Sequence, residues 1–334
     1  MSAMRSRERG SRIKSSGFTM VELMIALLLG LLVVGAAIGI FASNRQTYRA
    51  TEGLGRMQEG VRNAFELMAR DVREAAGNPC VNNLPIANVL ESSSSRWWSN
   101  LNQWGDAFRG YGATEDAADL TVGGSNGQRL AGTEVLQLFA ADENAATISL
   151  HDTATAKFTV NTASHGLNAG DLAVACNSRQ ASIFQVSSVS GQDIFHARAG
   201  TPGNCTLGLG VPMSCATGTV FNYAASGSVL VRLHATRWYI GNGTNGPSLY
   251  QQVATANGTV TTQEVAEGVK NLSVLYLVKG SNSYVSASAV GTRWADVIAA
   301  RMSLSLVGTD SIGVGSAVIE RQLVHVASLR NRNP

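Results

Sequence analysis

The sequence predicts an α+β protein in which a long N-terminal α-helix, transmembrane and then amphipathic, packs on a mostly antiparallel β-sheet domain. Three observations predict it. From Leu23 to Ala42 the chain runs for twenty consecutive uncharged, mostly apolar residues, about the length that crosses roughly 30 Å of hydrocarbon as a helix. Between Asn44 and Ala76 the apolar residues Leu54, Met57, Val61, Phe65, Met68, Val72 and Ala75 recur at steps of three and four, the spacing of one helix face. From Thr133 onward, short β-type runs alternate with Gly, Asn and Pro turns and no helical pattern intervenes, which favours antiparallel neighbours.

The segment before the apolar span carries Arg5, Arg7, Arg9, Arg12 and Lys14 against Glu8 alone. By the positive-inside rule the N-terminus stays cytoplasmic and the chain beyond Ala42 is exported. Glu22 stands at the mouth of the span, where a carboxylate costs a few kcal/mol unless partnered. An ordinary secretory signal places its small-residue cleavage site after the apolar core. Here Gly17 lies before it, so a cut between Gly17 and Phe18 removes the charged leader and keeps the helix. The new amino group at Phe18 then lies four residues from Glu22, at the positive end of the helix.

Lys14-Ser15-Ser16-Gly17-Phe18-Thr19-Met20-Val21-Glu22-Leu23 closely resembles the class III signal of type IV pilins and type II secretion pseudopilins. The resemblance implies a pilin-like fold. It also implies that a prepilin peptidase cuts after Gly17 and N-methylates Phe18, and that Glu22 guides assembly by pairing with the N-terminus of an adjacent subunit. Residues 1–17 are then a cleaved leader, 18–42 the transmembrane or filament-core helix, and 43–78 its amphipathic continuation, stopped by Gly77 and Pro79. The helix is expected over about 18–76, roughly 85–90 Å long. Gly53, Gly55 and Gly60 predict a soft zone at its middle. Gly35 and Gly39 form a G-x-x-x-G surface, for close helix contact or simple packing tolerance.

Residues 79–132 read as an irregular, surface-exposed insertion holding Trp97, Trp98 and Trp104, a partner-binding patch or a local core anchor. Residues 133–334 form the β-rich exported domain. Its runs are Glu134–Phe139, Lys157–Val160, Leu172–Cys176, Ser182–Val189, Thr219–Tyr223, Val229–Ile240, Ser248–Val253, Val269–Val278, Val297–Val307 and Ile319–Ser328. Stretches 176–186, 237–241, 264–272 and the ending Leu329-Arg330-Asn331-Arg332 are similar to PilW-type minor pilins.

Of 26 basic and 23 acidic residues the leader holds five and one, leaving 21 against 22. A basic nucleic-acid footprint is absent. The four cysteines, Cys80, Cys176, Cys205 and Cys215, are compatible with two disulfides in an oxidising compartment. Cys205 with Cys215 is the easier pair, and Cys80 with Cys176 would tie the helix end to the sheet. Neither C-x-x-C nor paired histidine spacing supports a metal, and no cofactor is expected. Gly123-Gly124-Ser125-Asn126-Gly127 fits G-x-S-x-G without a strand-to-helix elbow. Gly241-Asn242-Gly243-Thr244-Asn245-Gly246 fits G-x-G-x-x-G, but another strand follows it, so it reads as a hairpin turn. His151, His165, His196, His234 and His325 are scattered, and no enzyme is indicated.

The resemblance implies a minor pilin, held in the bacterial inner membrane with its C-terminal domain periplasmic, then extracted to the pilus and cell surface. Implied partners are prepilin peptidase, other major and minor pilins, and the inner-membrane assembly machinery. Adhesion and twitching motility are the associated processes. The alternative is a J-type minor pseudopilin of a type II secretion system. A membrane-tethered enzyme or receptor fits less well, since it gains nothing from cleavage at Gly17.

Overall fold

A computed structural model describes residues 17, 19–81, 84–223, 226–307 and 320–332. The chain divides into two compact units, residues 1–52 and 53–334. The first holds the beginning of α1 (Met20–Glu74, 55 residues), which continues helically through Gly53, Gly55 and Gly60 into the second. The unwound zone expected there is not formed. Along the apolar part, side chains such as Leu23, Leu31, Val33 and Phe41 are all exposed. The helix is long and apolar enough to cross a membrane by length and composition.

The second unit is built around β10 (Val229–Gly243), a 15-residue strand. Its later residues pair antiparallel with β3 (Val135–Ala141) on one side and β11 (Gly246–Ala254) on the other. β2 (Phe108–Tyr111) extends the sheet beyond β3, and β12 (Val260–Glu267) extends it beyond β11. The first residues of β10 pair with β6 (Leu172–Cys176) and β4 (Ala146–Asp152). From β6 the order continues to β7 (Ala181–Gln185) and β1 (Ile86–Asn88); from β4 it continues to β5 (Lys157–Val160), β9 (Asp193–Phe195) and β8 (Ser188–Ser190). A second sheet has the order β14 (Tyr284–Val285), β13 (Val269–Val278), β15 (Val297–Val307), β16 (Glu320–Ser328), antiparallel throughout. Among the described strand pairs only β1–β7 is parallel. One turn of helix, α2 (Ala287–Val290), follows β14. The architecture is α+β, a long helix with a large, mostly antiparallel β domain.

The largest core packs Val61, Phe65, Met68, Val72 and Ala75 of α1 with Val274 and Tyr276 of β13, Met302 and Leu304 of β15, and Trp238 of β10. The stripe read from the sequence is thus the buried face from Val61 onward; the side chains of Leu54 and Met57 lie outside the described residues. Each large side chain so buried contributes about 1.5–3 kcal/mol. The helix ends with Ala76 in the left-handed region at φ 58°. Gly77 follows because a Cβ there would come within 2.7 Å of the Asn331 amide nitrogen. Asn331 donates to the helix-end carbonyls of Glu74 and Ala75 at 3.2 and 3.4 Å, supplying two of the bonds that a helix end lacks.

Four strands, β5, β6, β13 and β15, have the bounds of the β-type runs read from the sequence. Thr219–Tyr223 is not a strand. The Thr219 carbonyl accepts from Gly210 N–H at 2.7 Å, and its hydroxyl donates to Pro212 O at 2.6 Å, so it closes the disulfide loop. Residues 79–132 are not a separate surface insertion: β1 and β2 from this segment join the sheet. β4 and β12 were not apparent in the sequence. β12 is mostly exposed and pairs on one side only, with β11, so it carries little apolar alternation.

Candidate functional site

At the start of α1, Thr19 and Glu22 form a reciprocal pair. The Thr19 N–H and hydroxyl donate to Glu22 Oε2 at 3.1 and 3.0 Å, and the Glu22 N–H donates to Thr19 Oγ1 at 3.2 Å. With the helix beginning at Met20, this is a capping box: Thr19 is the N-cap and Glu22 the third helical residue. The spacing Thr-x-x-Glu carries the signal for it. Glu22 therefore has a local role within its own chain, on top of any pairing across subunits. Both bonds that its carboxylate accepts fall on Oε2, which leaves Oε1 without a hydrogen bond among the described residues. Gly17 is exposed, with nothing among the described residues within 4 Å of where a Cβ would stand. Phe18, like residues 1–16, lies outside the described residues.

The tryptophans do not form an exposed patch. Trp97, Trp98 and Trp104 are 2, 3 and 5% exposed and belong to a core with Val174, Cys176 and Ile183 of β6 and β7. Each has a specific neighbour: the Arg237 guanidinium stacks 4.5 Å over Trp97, Arg96 lies over Trp98, and the Trp104 indole N–H donates to Ala76 O at 2.7 Å. Burying such large rings returns more free energy than leaving them in water. The local-anchor reading is the one that holds.

The cysteines form disulfides Cys80–Cys176 and Cys205–Cys215. The first joins the chain just past α1 to β6; the second closes a loop over 205–215 whose Leu209 is buried while Leu207, Val211 and Met213 are exposed. In the two enzyme-like strings the backbone simply turns. Gln128 N–H donates to Ser125 O at 3.0 Å, and Gly243 pairs with Gly246 across a two-residue turn, Gly246 at φ 122°.

Three features were missed from the sequence. Asp71 of α1 is largely buried and accepts from the Trp238 indole N–H at 2.8 Å and Gln251 Nε2–H at 3.1 Å. Burial raises its pKa to about 6 against the lowering effect of those bonds. Arg129 and Arg237 are almost fully buried and donate to backbone carbonyls, Arg129 to Glu115 and Gly112, Arg237 to Ala118 and Asp119. They hold the 112–133 segment on β10. His151 and His196, 45 residues apart, meet in a third core. Among the described residues no group of three His, Cys, Asp or Glu could hold a metal.

A basic segment and a small residue ahead of an exposed apolar helix, whose later turns pack on an antiparallel sheet, make an arrangement similar to that of the type IV pilin-like class. Residues 12–38 match the family described as the prokaryotic N-terminal methylation motif. Within the class, residues 237–322, from β10 to β16, match type IV pilus-assembly protein W. The two matches together support a PilW-type protein with a role in the type IV pilus. No curated protein and no solved structure matches the chain.

Proposed function

We propose that the chain is a minor pilin, cut after Gly17 by prepilin peptidase, N-methylated at Phe18, and incorporated into or priming the pilus filament. Residues 1–17 are the leader, 18–42 the membrane and filament-core helix, 43–78 the amphipathic part, and the remainder the exported domain, periplasmic before extraction. Its role is structural, without enzymatic activity. The observation that carries this is the register of Gly17 and Glu22 on a helix whose first turns expose only apolar side chains besides that carboxylate. Glu22 pairs with the amino terminus of a neighbouring subunit, in a low-dielectric setting where the attraction is strong.

The capping box determines which substitution tests the charge. Glu22→Ala removes both the charge and the carboxylate half of the capping box. Glu22→Gln keeps an acceptor for Thr19 and removes only the charge. Glu22→Gln protein is expected to be processed, folded and retained in the membrane fraction, missing from sheared pili. Entry into filaments at wild-type level would overturn the charge-pairing role. Gly17→Leu should instead leave the leader attached. Loss of protein secretion with pili intact would assign the chain to a type II secretion pseudopilus.

A further inference from the structure

The core of β4, β5, β9 and the 205–223 segment is closed by Ala173 and Ala175 of β6, Phe184 of β7 and Leu230 of β10, and contains no residue of α1. At its centre His151 Nε2 and His196 Nε2 lie 3.2 Å apart, with His151 4% and His196 0% exposed. The tautomers follow from the partners. Tyr223 N–H donates to His151 Nδ1 at 3.1 Å, so that nitrogen carries no proton and the neutral ring holds its hydrogen on Nε2. His151 therefore donates to His196, whose own hydrogen is on Nδ1, an atom with no hydrogen-bond partner among the described residues. Phe158 stacks on His151 at 4.1 Å, and Phe184 meets His196 edge-on at 5.5 Å.

We propose that this pair is an acid-sensitive latch: proton uptake by either ring opens the lobe of residues 146–160 and 188–223, while the helix-supported sheet stays folded. A proton on His151 Nδ1 faces the Tyr223 N–H. A proton on His196 Nε2 faces the hydrogen that His151 donates. Neither ring can take up a proton without losing a hydrogen bond, and the apolar rings around them cannot solvate the charge. Asn204 carries the disturbance outward, because its amide donates to the carbonyls of His196, Ala197 and Gln185.

The ionisable groups on the surrounding elements do not supply a counter-charge in contact with the pair. Asp152 on β4 favours a charged His151 but is exposed and bound by Thr155. Lys157 on β5 and Asp193 on β9 engage each other at 3.2 Å. Arg198 follows His196 on the same segment, Arg179 stacks on Phe221, and Tyr223 is kept neutral by burial. His165 is bonded to Leu167 N–H and Gly191 O instead. Burial lowers His151 to about 4 and, with His151 beside it, His196 to about 3. Folded-state values below the ordinary 6.5 mean that the pair's contribution is complete above pH 6.5 and lost as pH falls toward those values.

Hydrogen exchange of the full chain in detergent micelles, corrected for intrinsic rates, tests this between pH 7 and pH 4. The opening constant of 146–160 and 188–223 is expected to rise about ten- to hundredfold per pH unit below about 6, for one or two protons taken up. Segments 61–75 and 297–307 should hold their protection. Lobe protection that is constant to pH 4, or lost together with those segments, overturns the latch. His151→Asn combined with His196→Gln, which keeps acceptors but cannot titrate, should flatten the response, and His165→Gln should leave it unchanged. Should the double variant not fold, the wild-type profile and His165→Gln decide: a response abolished by His165→Gln also overturns it.

Discussion

Asp71 shows how one side chain couples the helix to the sheet. Its carboxylate reaches from α1 to Trp238 of β10 and Gln251 of β11. The folded-state pKa of about 6 exceeds the ordinary 3.8, so its contribution favours the fold below about pH 4 and is lost as pH rises through about 6. The difference corresponds to about 3 kcal/mol at most. Asp71→Asn keeps an acceptor for the indole without the buried charge. It should raise stability by about 1–3 kcal/mol at pH 8, with about half of that gain left at pH 5 and little of it toward pH 4. Thermal melts across that range check it; a gain independent of pH would mean that the charge is not the cause. Thr19 and Glu22 show the opposite case, a carboxylate whose local bonds are made within one turn of its own helix.

Among the elements, the end of α1 is the most constrained. Trp104, Asn331 and the Cys80–Cys176 disulfide all meet it or the residues just beyond. Cys80 and Cys176 are 96 residues apart, a long closure, so replacing both by Ala should cost about 2–5 kcal/mol. Replacing Cys205 and Cys215, ten residues apart, should cost less. Denaturant melts of the two double variants give the order. Alkylation of the freshly isolated, non-reduced protein should label no cysteine, and labelling of two or more would contradict both bridges.

Across the whole molecule, residues 329–332 close the β domain. Leu329 is fully buried in the helix–sheet core, Asn331 caps α1, and Arg332 donates to Gly105 O at 2.7 Å and to Trp294 O. The ending thus joins the helix end to two loops over 200 and about 40 residues away in sequence. A chain stopped after Ser328 should lose about 3–6 kcal/mol, from a buried leucine and several hydrogen bonds. Arg332→Ala should lose about 1–3 kcal/mol. Melting temperatures rank them, and wild-type stability in the truncated chain would remove the closing role.

The sequence by itself determined the features whose cause is local. The leader, Gly17 and the apolar span form one continuous run, read as a linear signal and as hydropathy, so the pilin-like class was legible from residues 5–42. The buried face of α1 from Val61 to Ala75 followed from periodicity, because a helix places residues three and four apart on one side. β5, β13 and β15 were legible for the same kind of reason, a period of two with β-branched residues, and β6 as a short apolar run between turn residues. Only the tertiary structure decided what depends on remote neighbours. Trp97, Trp98 and Trp104 look alike whether exposed or buried until β6 and β7 cover them. His151 and His196 gain their meaning from a 3.2 Å contact across 45 residues. Arg129 and Arg237 are ordinary cations in sequence, and become buried only where backbone carbonyls converge on them. In each case the environment of the side chain is set by chain segments far away, and no local pattern encodes which segments those are.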